Sequence, residues 1–221
     1  MEFTQTFGRR RLITLGSLGM AAWTVPGVFA QALVETPRQT EGPFYPDHLP
    51  LDRDNDLLIV GDRTTPAIGE VTHLSGRVLD TAGSPLRGVT VEIWQVDGRG
   101  VYLHSRSGNS ATGRDQHFQG FGRFETAANG EYRFRTVKPV AYPGRTPHIH
   151  VKVKRGDREL LTTQCYVKGD AGNARDGVLR GIRDQAQRES VLVDFKPLKE
   201  SKRGELEAKF DVVLGMTPND A

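Results

Sequence analysis

The sequence predicts an all-β fold, an antiparallel β-sandwich with long loops and at most one short helix. Short runs of alternating apolar and polar residues recur along the chain, and clusters of Gly, Pro, Asn, Asp and Ser separate them. The only cysteine is Cys165, which excludes an internal disulfide, so stability has to come from a hydrophobic core.

The elements follow in order. Residues 72–79 and 89–96 alternate as strands and are joined through Asp80-Thr81-Ala82-Gly83-Ser84-Pro85, a run of turn formers. Residues 122–126 and 131–137 flank Ala127-Ala128-Asn129-Gly130, where Asn129-Gly130 is a hairpin signal. In the next strand, 148–154, Ile149, Val151 and Val153 share one face toward a core. Residues 161–167 form another strand. Between 173 and 189, Val178, Ile182 and Ala186 fall near helical spacing, but Gly177 and Gly181 make that helix short and weakly held. Strands over 190–195 and 205–214 close the chain, which contains no internal repeat or low-complexity segment.

Residues 1–30 read as an export signal peptide. Arg9-Arg10-Arg11 precedes an apolar run from 12 to 23, too short for a membrane span, and Val28-Phe29-Ala30 before Gln31 is a small-residue cleavage site. Paired arginines followed by Leu12-Ile13 resemble a twin-arginine signal, whose route carries folded proteins; an ordinary secretory signal is the alternative. The expected location is periplasmic or extracellular, with no membrane anchoring of the mature form. Removing Arg9, Arg10, Arg11 and Glu2, a net of +2, leaves +3 − 2 = +1 on the mature domain, residues 31–221. With that near-neutral balance and no basic cluster interleaved with aromatics, nucleic-acid binding is not expected.

Chemistry concentrates in Tyr142-Pro143-Gly144-Arg145-Thr146-Pro147-His148-Ile149-His150. Extended from His148, the strand projects His148 and His150 to one face. They are either half of a metal site or an edge-strand pair facing solvent beside Lys152 and Lys154. Tyr132, alternating with Phe134, and Tyr166, beside Val167, read as core packing. Tyr45 is either a pocket wall or a cover for the sandwich end, and His104 shares a face with Tyr102 if the chain is extended there. His48, His73 and His117 lack partner spacing and read as surface or hydrogen-bonded structural residues.

Glu92-Ile93-Trp94-Gln95 running to Tyr102, the segment from Tyr142 to His150, Leu161-Thr162-Thr163-Gln164 and the opening Gln39-Thr40-Glu41-Gly42-Pro43-Phe44-Tyr45-Pro46 together resemble the intradiol ring-cleaving dioxygenases, nearer the protocatechuate than the catechol type. The resemblance covers about 36–169 and agrees with a β-sandwich. The long helical N-terminal dimerisation segment of catechol-type members has no counterpart here, so dimerisation by that route is not expected, and the oligomeric state stays open. The resemblance implies an Fe(III) ion held by Tyr102, Tyr142, His148 and His150. Phenolate oxygens suit the ferric state, whereas Fe(II) sites typically offer two histidines and a carboxylate. It further implies that Tyr142 leaves the metal and takes a substrate proton, that Arg145 stabilises negative charge on the substrate, and that Gln164 stands near the substrate. For Arg145 the plainer alternative is a salt bridge ordering the loop, and for Gln164 a hydrogen bond across the sheet. The implied reaction opens a catecholic ring between its two hydroxylated carbons with O2, giving a muconate-type dicarboxylate. The competing classes are a non-catalytic β-sandwich binding module and a metal-scavenging exported protein. Specificity is expected in loops such as 44–53 and 106–118.

Overall fold

Alternation within the strands decides what each side of the molecule meets. The structure is a computed structural model that describes residues 33–107 and 113–215. The export signal and residues 108–112 of the expected specificity loop lie outside the described residues.

Six longer strands come first: β1 (Val71–Asp80), β2 (Thr90–Trp94), β3 (Phe121–Glu125), β4 (Glu131–Val137), β5 (His148–Arg155) and β6 (Arg158–Val167). A 3-10 turn at Ala171–Ala174 and two helices, α1 (Gly177–Arg180) and α2 (Gln185–Ser190), follow. Four short strands end the fold: β7 (Leu192–Val193), β8 (Phe195–Pro197), β9 (Leu206–Lys209) and β10 (Val212–Leu214). In one sheet β1 pairs with β4, β9 and β10, and β8 lies beyond β9; the other runs β3-β2-β5-β6-β7. Leu74, Val78, Phe134 and Val212 of the first sheet meet Val91, Ile93, Ile149, Val151 and Val153 of the second in one buried cluster. Each such side chain contributes roughly 1.5–3 kcal/mol on burial.

The sandwich is as expected, with three corrections. The sheets are not purely antiparallel: β1–β9, β1–β10 and β6–β7 are parallel pairs. Parallel neighbours need long crossovers, and the stretch carrying both helices supplies one between β6 and β7. Second, Asn129-Gly130 makes a turn, with Gly130 N donating to Ala127 O at 2.9 Å and Gly130 at φ +75°, but not a hairpin. β3 pairs with β2 and β4 with β1, so this turn carries the chain from one sheet to the other. Third, the single expected helix is two. Gly181 ends α1, and Asp184 starts α2 by accepting from Gln187 N. Among the described residues no helix is long and apolar enough to cross a membrane.

The outer face of β5 is covered as well. A segment from Leu33 to Asp47 crosses it, with Thr36 N bonded to Val213 O at 2.9 Å and Gln39 N to Thr162 O at 2.8 Å. All six residues from His148 to Val153 are consequently buried.

Candidate metal centre

The site begins with a turn. Pro143 presets its own φ, and Gly144 adopts φ +83°, the left-handed position that a type II turn demands of its third residue. Arg145 N therefore donates to Tyr142 O at 2.9 Å and Tyr142 N to Arg145 O at 3.3 Å, holding the two residues opposite each other.

From that turn the chain enters β5, whose register sets the neighbours. His150 lies between Trp94 of β2 and Gln164 of β6, and His148 lies beside Tyr166. The Trp94 ring stacks on His150 with centroids 4.7 Å apart and planes 10° from parallel. Tyr102 arrives from the loop after β2. Asp97 shapes that loop by accepting from Arg99 N at 2.8 Å and Val101 N at 3.0 Å, and Phe44 of the covering segment stacks on the Tyr102 ring at 4.9 Å.

Three donor atoms converge. Tyr102 Oη is 3.2 Å from His148 Nε2 and 3.0 Å from His150 Nε2, and the two nitrogens are 3.2 Å apart. Adjacent ligands about 2.0–2.1 Å from one cation, at right angles, stand about 3 Å apart. His148 Nδ1 donates to Thr146 O at 2.6 Å, which leaves the Nε2 lone pair turned into this triangle. Tyr142 stands at its edge, its ring centroid 5.5 Å from that of Tyr102 and 5.6 Å from that of His148.

Electrostatics agree with a cation. Burial, then the Arg145 charge, lowers the His148 pKa to about 4, and burial, then His148 and Arg145, pushes His150 well below the ordinary value. Both imidazoles are thus neutral at pH 7, the form in which an imidazole can bind a metal. Burial, followed by the neighbouring Tyr142, raises Tyr102 well above the phenol range, so its ionisation calls for a positive partner in the triangle. No group of three or more His, Cys, Asp or Glu side chains among the described residues is placed to hold a metal. Oxygen donors at this centre are phenols, which suits a hard, highly charged ion such as Fe(III).

The predicted residues come together. His148 and His150 are 1% and 2% exposed, which removes the solvent-facing reading. Arg145 donates from Nε to Asp176 Oδ2 at 2.8 Å and from Nη2 to Gln164 Oε1 at 2.5 Å, so the loop-ordering salt bridge exists alongside a position next to the register partner of His150. Gln164 is fully buried; its Oε1 also accepts from Tyr166 Oη at 2.9 Å, and its Nε2 donates to Thr40 O at 3.0 Å. Tyr45 settles as a buttress: its hydroxyl donates to Glu92 at 3.0 Å and its ring meets Trp94 edge-on at 5.0 Å. His104 does not share a face with Tyr102. The chain turns at 103–106, His104 Nδ1 accepts from Arg106 N at 3.0 Å, and Phe44 lies against its ring. His73 pairs with Glu205 at 3.0 Å, as a structural residue would.

Several contributors were not singled out by the sequence. Tyr132 is core, but Tyr166 is more than packing, because its hydroxyl also accepts from Gln39 Nε2 at 2.8 Å beneath the site. Trp94, Phe44 and Gln39 lay inside noted motifs without a role. Asp176 carried one local signal, an acidic residue opening a helix, where it accepts from Val178 N and Leu179 N.

The Dioxygenase_C family model, described as Dioxygenase, matches residues 40–216. The protocatechuate 3,4-dioxygenase beta chain of Burkholderia cepacia is 36% identical over 170 residues, 73% of this chain and 71% of that one. A hydroxyquinol 1,2-dioxygenase of Corynebacterium glutamicum is 29% identical over 161 residues, covering 65% of this chain but only 50% of that longer protein. Among solved structures, the dioxygenase domain of a dioxygenase and carbohydrate-binding fusion from Streptomyces sp. SirexAA-E superposes with a TM-score of 0.61 at 33% identity, covering 83% of this chain and 100% of that domain. With the fold, the histidine pair and the tyrosines in place, the chain belongs to the Dioxygenase_C family, the family of the intradiol ring-cleaving dioxygenases.

Proposed function

We propose that the chain is an exported, Fe(III)-dependent intradiol dioxygenase that opens a catecholic ring between its hydroxylated carbons with O2, giving a muconate-type dicarboxylate. The observation that carries this is the triangle of Tyr102 Oη, His148 Nε2 and His150 Nε2, with Tyr142 at its edge and Arg145 beside it. Tyr102, Tyr142, His148 and His150 would hold the ion. Bound Fe(III) would supply Lewis-acid activation of the diol, making a ring carbon reactive toward oxygen.

The chain's own groups do the rest. Tyr142 is half-buried on a turn whose backbone is bonded to itself, so its phenolate can swing away and accept a proton from an incoming diol hydroxyl without moving the strand. Arg145 stabilises the negative charge that develops on the substrate. Gln164 holds Arg145 Nη2, and Thr146 O fixes the His148 tautomer. Trp94 and Phe44 lock the rings of His150 and Tyr102 and keep water from behind them.

The test is iron stoichiometry and colour of the mature protein, then oxygen uptake with protocatechuate, hydroxyquinol, catechol and alkyl or chloro catechols. One iron per chain, a visible tyrosinate band and an intradiol product support the reading; a colourless, metal-free protein overturns it. Export is tested by Arg9→Lys with Arg10→Lys, which should leave the precursor in the cytoplasm; normal export of that variant would defeat the twin-arginine assignment.

A further inference from the structure

The Asp176 carboxylate has no exposed side-chain surface and accepts four N–H donors. Oδ1 takes Val178 N at 3.0 Å and Leu179 N at 2.9 Å; Oδ2 takes Arg145 Nε at 2.8 Å and Thr146 N at 3.0 Å. One side chain therefore ties α1 to the Tyr142–Arg145 turn and to the entry of β5. The same crossover adds Asp170 and Asn173, which take the Thr146 hydroxyl at 3.2 and 2.8 Å.

The arginine is held in a particular way. Asp176 and Gln164 occupy its Nε and Nη2, and the Tyr166 hydroxyl is a further partner of the guanidinium. An arginine left to itself samples many rotamers, whereas a planar fork fixed at two donors loses that freedom before substrate arrives. Gln164, which holds Nη2, is the register partner of His150 and accepts from Tyr166, whose ring lies 5.8 Å from that of His148, so the fixed end stands beside the histidine pair.

We propose that Asp176 is a positioning residue: a buried carboxylate that, with Gln164, sets the plane and reach of the Arg145 guanidinium so that it meets charge developing on the substrate. The inference rests on Arg145 being the charge-stabilising group. Preorganised donors are worth most where they need not reorganise during reaction, and Asp176 supplies that fixity through one bond.

The experiment is a double-mutant cycle on the iron-loaded protein, with turnover normalised to bound iron. Arg145→Ala should lower it about 10²-fold. Asp176→Asn, similar in shape but offering N–H to N–H, should lower it about 10-fold or more while iron and colour remain, and the double variant should be no worse than Arg145→Ala alone. Anaerobic binding of a nitrocatechol, followed by its absorbance change, should weaken in Asp176→Asn and Arg145→Ala alike. Unchanged turnover per iron in Asp176→Asn, with only stability or occupancy reduced, overturns the proposal, as does full additivity in the cycle. Because Asp176→Asn also loses a helix cap and can fail to fold, the wild-type metal-free protein provides a second measurement. Its Arg145 Nε–H should give a sharp NMR resonance protected from exchange, and a broadened, unprotected one overturns the inference by itself. Absence of oxygen uptake by the wild-type protein with every diol would instead overturn the functional reading and this inference with it.

Discussion

Ile149, Val151 and Val153 on the inner face of β5 are fully buried, and His148, His150 and Lys152 on its outer face are nearly so, at 1%, 2% and 8% exposed. On the inner face burial needs no partner: apolar side chains meet apolar side chains. On the outer face every polar atom has to be accounted for. His148 Nδ1 has Thr146 O, and Lys152 has Glu41 and lies 3.9 Å over the Tyr45 ring, while His150 Nδ1 has no partner among the described residues. The depth of burial is the same, so only the chemistry of the neighbours tells core from site.

The sharpest break in that comparison is removal of a ligand. His148→Ala or His150→Ala should weaken iron binding by at least about 100-fold, beyond the loss that an outer-shell partner causes, and bleach the protein while leaving its circular dichroism intact. Competition against a chelator measures it; retained iron and colour in both variants would dismiss the ligand set.

How much of this was legible depends on range. The alternation of β5 is written within its own residues, and the structure places it as read, whereas the Tyr142–Arg145 turn just before it reads in the sequence only as a loop. Asn129-Gly130 announces a turn but not which sheet receives the next strand, because pairing partners are chosen by the whole fold. Parallel pairs such as β1–β9 join residues more than a hundred positions apart, beyond any local pattern. Asp176 is likewise a distant partner of Arg145, and the stack of Trp94 on His150 exists only through the β2–β5 register. The split helix was a matter of degree, since Gly181 weakens a helix locally and here ends it.

Between the two histidines, Ile149 tests the opposite face. Ile149→Ala should cost about 2–5 kcal/mol in urea unfolding and leave iron stoichiometry and colour unchanged. Loss of iron at intact stability would mean that the two faces are not separable.

Acid should also distinguish them. In the metal-free protein the folded His148 pKa is about 4, against about 6.5 in an unfolded chain. Between these values the unfolded state binds more protons, so stability rises with pH: it is fully present above about 6.5 and drains away as pH falls toward 4. The loss is on the order of 3 kcal/mol. Urea unfolding at pH 7, 5.5 and 4.5 should show this slope, and His148→Ala should flatten part of it, whereas Ile149→Ala should lower the curve without changing its shape. Identical slopes in wild type and His148→Ala would mean that the imidazole is not held neutral.

The smallest effect separates two tyrosines that look alike in sequence. Tyr132 is buried, and its hydroxyl donates to Phe210 O at 2.5 Å. Tyr132→Phe leaves that carbonyl unpaired and should cost about 1–3 kcal/mol, with the visible spectrum of the iron-loaded protein untouched. Tyr142 is half-buried, and its hydroxyl pairs with the Tyr102 phenol inside the donor group rather than bracing the sandwich core. Tyr142→Phe should therefore change stability by less than about 1 kcal/mol, yet remove one phenolate from the metal and shift the charge-transfer band. Tyr102→Phe should shift it too, because its oxygen is part of the donor triangle. Unfolding curves and spectra on the same four proteins, wild type included, decide the matter: a band unmoved in both Tyr102→Phe and Tyr142→Phe would show that phenolates do not bind the ion, and the outer face of β5 would then need another account of its buried imidazoles.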